Sequence, residues 1–572
     1  MGRRSGGSNK SRSGTKKQNA ETNKSHVTDS SNVEDELDSL LFKPMPPNKR
    51  NELNSIVEKL LNITSNYVSD EPTSTTKLRQ EFGEIFDLVK RIITQEQQFN
   101  MSRKLRASRK PYLQSLVEWL EIHGATLDGV EPADYGSESG FGLRATKDLK
   151  KGDRIICIPR RCFMSTETAK DSTISSLMEK DPMLRSMPNV ALALHLLIEK
   201  NSPASFWEPY INVLPSSYST VLYFSPSDFD QLKGSPAYED ALRQFKYVAR
   251  QYAYFYRKFQ STMLRDYFTF EDYRWAVSTV MTRQNQVPCK DDFSKTTNTL
   301  IPFWDLANHE CHSGSEISTD FDDANNITIC MANRDFEKGE QYTIYYGKRS
   351  NADLLVHNGF VYSRPSIEIN AGNEESCHHD FMVLRLGIGR NDPLAKPKYD
   401  LLDQLSIPRS GGQFIINMEE KPFDNVLLAF LRILCMNTKE ELEKWTNPAS
   451  QSTVSERSEQ IDVNKSSEKD SLVKEPNFAD KVRDLLNNDL LEYKELDAKV
   501  HKYLETRCTL LLRNYPTSLE EDLKQLKLNG DGEREEATDL KQMHSLNERN
   551  CMILRFKEKQ ILQHVIKFCQ TR

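Results

Sequence analysis

The chain has 572 residues, 37% of them hydrophobic and 28% charged, with a formal net charge of −6 at pH 7. Its length allows two to four domains with ample core, while a mean hydropathy of −0.65 requires part of the chain to be solvated tail or loop. The small net charge gives no electrostatic case for nucleic acid as the main partner, no apolar run approaches the roughly 20 residues of a membrane span, and 10 dispersed cysteines make no disulfide framework.

Residues 1–34 hold almost nothing to bury and are expected to form a disordered basic tail. The cluster Arg3, Arg4, Lys10, Arg12, Lys16 and Lys17 is a candidate nuclear-import or polyanion patch. The start lacks the apolar stretch of a secretory signal, so a cytoplasmic location is expected, with the nucleus as a second one. Helices follow over 35–108, where Leu53, Ile56, Val57, Leu60 and Leu61, then Phe82, Ile85, Phe86, Val89 and Ile93, recur at helical spacing. Tyr112–His123 is another helix, with Leu116, Trp119 and Leu120 inward and Gly124 as its stop.

Residues 126–163 read as strands, including Arg154–Ile158 after the turn Lys151-Gly152-Asp153. Gly140 and Gly142 let the backbone turn sharply and approach a ligand. No GxGxxG and no following helix occur, so a dinucleotide fold is not indicated. From about 165 to 286 the pattern is helical: Val190–Glu199, Pro226–Lys233, Tyr238–Gln260 and Phe270–Arg283, punctuated by Pro203, Pro209 and Pro215. An apolar run then ends in Trp304-Asp305, with Asn308-His309 just behind it. Strands are expected at Thr328–Met331 and Gln341–Tyr346 around the turn Glu337–Glu340, and a short helix at Asn351–Asn358 closed by Gly359. After Pro365 the chain turns helical, at Asp400–Leu405, Pro422–Met436, Glu440–Trp445, Phe478–Leu486 and Leu496–Arg513, with a disordered loop at about 446–470. Asn547–Cys569 is a basic amphipathic helix, expected to pack with its charged face in solvent. His309, Cys311, His312 and Cys330 fit no zinc spacing, so no metal is expected.

Five stretches in this order resemble the SET-domain methyltransferases: GFGLRA at 140–145, KKGD at 150–153, WDLANH at 304–309, EKGEQYTIYYG at 337–347 and RSNADLLVHNGF at 349–360. The insert and the C-terminal extension are similar to the Rubisco-methyltransferase-like branch. RQYAYFYRK at 250–258 and FEDYRWAVSTVMTRQNQVP at 270–288 resemble its actin-specific histidine methyltransferases. The resemblance implies an α+β protein: a SET-domain β-fold over 109–370 with the helical insert inside it, then an all-helical substrate-binding domain over 371–572. It implies S-adenosyl-L-methionine as cofactor, held by Arg109, Ser139, Gly140, Phe141, Arg283, Asp305, Leu306, Ala307, Asn308, His309, Asn358, Gly359 and Phe360. Arg109 stands where an arginine pairs the cofactor carboxylate, a task suited to a planar guanidinium. Ser139 and Asn358 depart from the family, whose members carry Glu and Ser there, and nothing is carried over to 310–326.

The resemblance also makes Tyr346 the phenol at the opening where acceptor and methyl meet, and Arg250, Trp304 and Arg349 substrate contacts. A lysine acceptor, with a pKa of about 10.4, must lose a proton before it attacks, whereas a histidine near about 6.5 is already mostly neutral. Asn285 suits a histidine site, since an amide can donate to one ring nitrogen and leave the other free, and Trp304 offers a flat wall for the ring. The expected activity is methyl transfer to a ring nitrogen of a histidine in actin by a monomeric enzyme that requires neither nucleic acid nor membrane. A lysine methyltransferase acting on a histone or another folded protein, and a non-catalytic adaptor, stay open beside it.

Overall fold

The computed structural model describes residues 44–65, 74–99, 102–106, 108–311, 318–362, 380–389, 391–409, 413–446, 482, 484–486, 494–528 and 545–572. The tail expected at 1–34, the loop expected after Thr446 and most of the helix expected at 478–486 lie outside them.

Two helices open the described chain, α1 (Pro47–Ser65) and α2 (Thr75–Glu96). The Ser74 hydroxyl accepts the Lys77 N–H and caps the second. Their apolar stripes face each other and the insert: Leu53, Val57 and Leu60 on α1, and Phe82, Ile85 and Val89 on α2, are buried. Helix α3 (Leu113–Ile122) follows a 3-10 turn at Lys110–Tyr112 and stops at Gly124, whose φ is +80°.

The strands come next: β1 (Thr126–Leu127), β2 (Val130–Asp134), β3 (Phe141–Ala145), β4 (Arg154–Pro159) and β5 (Met164–Ser165). The insert then supplies α4 (Pro188–Asn201), α5 (Glu208–Ile211), α6 (Ala237–Phe259) and α7 (Phe270–Arg283). The chain returns to strands with β6 (Asn285–Pro288), β7 (Thr296–Leu300), β8 (Asn308–His309), β9 (Thr319–Asp322), β10 (Ile327–Met331) and β11 (Gln341–Ile344). Three small sheets result, in the orders β1-β4-β10-β9, β2-β3-β11-β8 and β5-β7-β6. Central β4 is buried on both faces, which explains its near-continuous apolar run. All pairings in these sheets are antiparallel except β8 with β11, where Thr343 faces Asn308 and Ile344 faces His309.

Two expected elements differ in detail. The strand expected at Gln341–Tyr346 ends at Ile344, because β8 offers a two-residue ladder and the Tyr346 N–H turns to the His309 ring instead. The helix expected at Asn351–Asn358 is one α-turn, capped by the Ser350 and Asp353 side chains, followed by a π-helical turn over Leu354–Asn358 and closed by Gly359.

The C-terminal domain is helical as expected: α8 (Ala395–Gln404), α9 (Asn425–Cys435), α10 (Lys494–Arg513), α11 (Leu519–Leu528) and α12 (Leu546–Gln570). It also holds an antiparallel ribbon, Phe381–Arg385 against Gln413–Asn417, which the expectation lacked; FMVLR and QFIIN alternate with period two but are only five residues each. Helix α12 joins the two cores. Its Cys551–Leu554 stretch enters the first core, and Leu562 and Val565 enter the second. The charges expected in solvent on this helix are partly buried: Arg555 and Lys559 both pair with Asp522 of α11.

Candidate functional site

The backbone into the site is strained at one residue. Phe303, a fully buried aromatic, has φ +71°, a region that bulky side chains avoid. This kink and the 3-10 turn Trp304–Leu306 bury the Trp304 ring and deliver the Asp305 carboxyl to the interior, where its side chain is 2% exposed. Asp305 Oδ2 accepts from the Tyr210 hydroxyl at 2.6 Å and lies 3.4 Å from Arg283 Nη1, which also donates to the Asp305 carbonyl at 2.7 Å. Burial raises the Asp305 pKa against the opposing pull of Arg283 and Tyr210. Burial alone would lower the Arg283 pKa, but Asp305, then Tyr218, Tyr210 and Tyr346, outweigh it and raise it. Asp305 Oδ1 and Arg283 Nε are buried with no hydrogen-bond partner among the described residues.

Arg109 sits just before α3, over the Phe141 ring at 4.8 Å, and donates to the Val213 carbonyl at 3.3 Å. Among the described residues it makes no ion pair. Burial and then the like charge of Arg283 hold its pKa down at about 10, so it stays cationic at neutral pH. Gly140 turns through φ +62°, and a Cβ there would come within 3.3 Å of Arg109 Nη2. A Cβ on Gly142 would lie 2.7 Å from Gln341 Nε2 and 2.8 Å from Asn308 Nδ2, so glycine is what lets β3 approach those two amides. Asn308 Nδ2 reaches the Ser139 carbonyl at 3.5 Å, so Ser139 meets this cluster through its backbone while its side chain is exposed.

His309 and Tyr346 are tied together. The Tyr346 N–H donates to His309 Nδ1 at 3.2 Å, which leaves the ring neutral with its proton on Nε2. Burial holds the His309 pKa down at about 4. The Tyr346 hydroxyl donates to the Ala307 carbonyl at 2.8 Å, and burial pushes its pKa up to about 12. Around the imidazole stand the rings of Tyr345, Tyr346, Phe360 and Tyr362, with centroids 5.0–6.3 Å away. Arg349 donates to Asn358 Oδ1 at 2.9 Å, and Asn358 Nδ2 reaches the Thr282 carbonyl at 3.4 Å. Gly359 turns through φ +82°, and a Cβ there would strike the Ser219–Thr220 backbone at 2.7 Å.

The fold therefore gathers Arg109, Ser139–Phe141, Arg283, Asp305–His309, Tyr346 and Asn358–Phe360 from six separate stretches of chain. Asn285 opens β6, and its amide donates to the Arg283 carbonyl at 3.2 Å. Trp304 is 4% exposed, so most of its ring serves the core. Arg250 stands on α6 and lines a groove of about 630 Å³ together with Gln251, Tyr254, Met281 and Gln284, the last of these next in the chain to Arg283. Sequence reasoning missed Tyr210, Tyr218 and Gln341. The Gln341 amide nitrogen is buried without a partner beside Gly142, and the Tyr218 hydroxyl donates to Thr279 at 2.9 Å while facing Arg283.

Known proteins share this arrangement of domains. The SET domain family matches residues 140–347, and the Rubisco LSMT substrate-binding family matches residues 389–562. Actin-histidine N-methyltransferase of Callithrix jacchus is 36% identical over 519 residues, covering 89% of this chain and 77% of the relative. The Homo sapiens protein of that name is 36% identical over 521 residues with the same coverage, 89% and 77%. The solved structure of Rubisco LSMT bound to AdoMet superposes with a TM-score of 0.58 at 19% identity, covering 81% of this chain and 92% of that one. The SET domain of LSMT bound to lysine and AdoHcy gives the same TM-score of 0.58, with 81% and 91% covered.

Proposed function

The chain belongs to the actin-histidine N-methyltransferase family of SET-domain proteins, and from that membership we propose that it transfers a methyl group from S-adenosyl-L-methionine to a ring nitrogen of a histidine in actin. One observation carries the proposal. Tyr346 binds the Leu306–His309 stretch through both its N–H and its hydroxyl, directly beside the buried Arg283–Asp305 pair. A phenol is thereby fixed against the segment whose family counterpart serves the cofactor.

The residues present suit S-adenosylmethionine. Arg109 is a cation without a carboxylate partner among the described residues, which fits a ligand carboxylate. Asp305 Oδ1, Arg283 Nε and Gln341 Nε2 are buried polar atoms left unmatched among the described residues. Gly140 and Gly142 keep side-chain volume away from Arg109 and Asn308. In this reading Arg109 and Asn308 bind the amino-acid end, the backbone of 305–309 and 358–360 contributes further contacts, and Ser139 acts through its carbonyl. When bound, the cofactor supplies an electrophilic methyl on a sulfonium.

The protein's own task is to align the acceptor and exclude water. The Tyr346 hydroxyl stays protonated at neutral pH, so it orients and polarises instead of removing a proton. Asp305, the carboxylate of the cluster, is engaged by Tyr210 and Arg283. A site built this way suits an acceptor that is neutral before it arrives, which favours imidazole over ammonium. Asn285 then selects the ring nitrogen, with Arg250, Trp304 and Arg349 holding the segment around it. The enzyme acts as a monomer in the cytoplasm, with the nucleus second; light scattering and cell fractionation check both points.

Incubation with methyl-labelled S-adenosylmethionine and either actin or core histones, followed by acid hydrolysis, tests the proposal. Labelled methylhistidine from actin is expected. Methyl-lysine as the main product would reject it.

A further inference from the structure

The segment from α5 to Thr220 crosses the site as a strap. Tyr210 donates its hydroxyl to Asp305 Oδ2 at 2.6 Å. Three residues on, the Val213 carbonyl accepts from Arg109 Nη1 at 3.3 Å. Tyr218 donates to Thr279 of α7 and faces Arg283, and the Ser219–Thr220 backbone is wedged against Gly359. Eleven consecutive residues thus bear on Arg109, Arg283, Asp305 and Gly359, four positions that are far apart in the chain. Helix α5 is itself anchored from outside, since Arg103 donates to Asn212 Oδ1 at 2.6 Å and pairs with Glu208 at 3.2 Å.

We propose that Tyr210 is a positioning residue for the cofactor, holding the Asp305 carboxylate ionised and aimed at Arg283 so that the two arginines keep the geometry in which they receive S-adenosylmethionine. The inference rests on the functional reading above and names the part of the chain that sets cofactor affinity. Tyr210 is fully buried, and a buried phenol needs an acceptor for its O–H. Asp305 supplies one, and the bond is charge-assisted. Without that donor the carboxylate would keep one ionic neighbour in a desolvated setting and one oxygen already unmatched. The charged or titratable groups facing Asp305 are Arg283 from α7, Tyr210 and Tyr218 from the strap, Arg109 from the turn before α3, and Tyr346 after β11.

Calorimetric titration of full-length Tyr210→Phe with S-adenosylmethionine is the test, alongside wild type and Tyr256→Phe. The control removes another buried phenol, one that donates to Asn54 of α1 at 2.9 Å. Tyr210→Phe should bind about tenfold more weakly, the scale of one hydrogen bond to a charged group. Its affinity should also fall more steeply than that of wild type as pH is lowered, because the unsupported carboxyl takes up a proton more readily. Wild type and Tyr256→Phe should share one shallower profile, and kcat at saturating cofactor should stay within about twofold in all three. Unchanged affinity with a wild-type pH profile in Tyr210→Phe, or an equal loss in Tyr256→Phe, would overturn the role of Tyr210 while leaving the functional reading intact. Failure of wild type to bind S-adenosylmethionine would overturn that reading itself. Should Tyr210→Phe not fold, Tyr218→Phe, on the same strap and partly exposed, carries the test through an expected loss of about threefold; no loss there counts against the strap.

Discussion

Two buried charge clusters, one in each part of the molecule, are built differently. In the C-terminal domain Asp522 is saturated: Oδ1 accepts from Thr517 at 2.7 Å and from Arg555 at 2.9 Å, and Oδ2 from Lys559 at 2.6 Å. In the SET region Asp305 has one oxygen occupied by Tyr210 and Arg283, and the other is buried with no partner among the described residues. Among the described residues the Asp522 carboxylate is complete and pins α11 to α12, although Arg555 Nε is buried without a partner. The second is complete only with something added. A buried charge satisfied on all sides contributes specificity of fold, whereas one left partly unmatched beside an unpaired arginine marks a place where the protein receives a ligand.

The contrast can be broken most forcefully at Asp522. Asp522→Ala leaves Arg555 and Lys559 buried without their partner, and chemical denaturation should register a loss of about 3–5 kcal/mol. Asp305→Asn should cost less stability but abolish the rise in melting temperature that S-adenosylmethionine gives wild type. If Asp522→Ala were the variant that lost the ligand-induced rise while staying folded, the two clusters would have their roles reversed.

Next in size is Tyr346→Phe, which removes a hydroxyl from the SET cluster without touching the arginines. Turnover should fall about 10–100-fold with cofactor affinity near normal, as expected where a single oriented donor is lost; single-turnover kinetics and calorimetry read the two quantities. Asn285→Phe should lower histidine methylation about tenfold while sparing any lysine methylation, since it deletes the amide that selects a ring nitrogen. Mass spectrometry of peptides carrying either acceptor checks the ratio.

The smallest effect concerns the joint between the two parts. Glu558 of α12 accepts from Ser235 at 2.9 Å and Tyr515 at 2.9 Å, and burial pushes its pKa up to about 8. A carboxyl that binds its proton more tightly when folded stabilises the fold most at low pH. That stability is lost as pH climbs from its unfolded pKa toward about 8. Glu558→Gln keeps both hydroxyl contacts by rotation of the O–H groups. Relative to wild type it should therefore lose less melting temperature between pH 5 and pH 8, while Glu96, also pushed up to about 8 by burial, keeps its contribution of the same sign.

Much of the SET region was legible in the sequence because its signals are local. Gly140, Gly142 and Gly359 stand where the backbone takes positive φ or meets a neighbour closely, and the alternating strands and the Ser350–Asp353 cap follow from short patterns. Contacts between distant segments were not legible. Tyr210 lies 95 residues from Asp305, in a stretch whose prolines announce turns and nothing more. Arg555 and Lys559 gave α12 a basic face that reads as solvated; their partner Asp522 is 33 and 37 residues away on another helix. The positive φ of Phe303 had no signal at all, because that strain is imposed by packing and not by residue type.

The central claim is that the acceptor nitrogen reaches Tyr346 already neutral. The single-turnover rate of wild-type protein, saturated with S-adenosylmethionine and mixed with monomeric actin, should be followed from pH 6 to 9.5. A rate that climbs at acid pH and levels off above about pH 7 is the behaviour of an imidazole acceptor. A rate that keeps rising close to tenfold per pH unit through pH 9 would mean that an ammonium is being deprotonated, and the histidine assignment would fall.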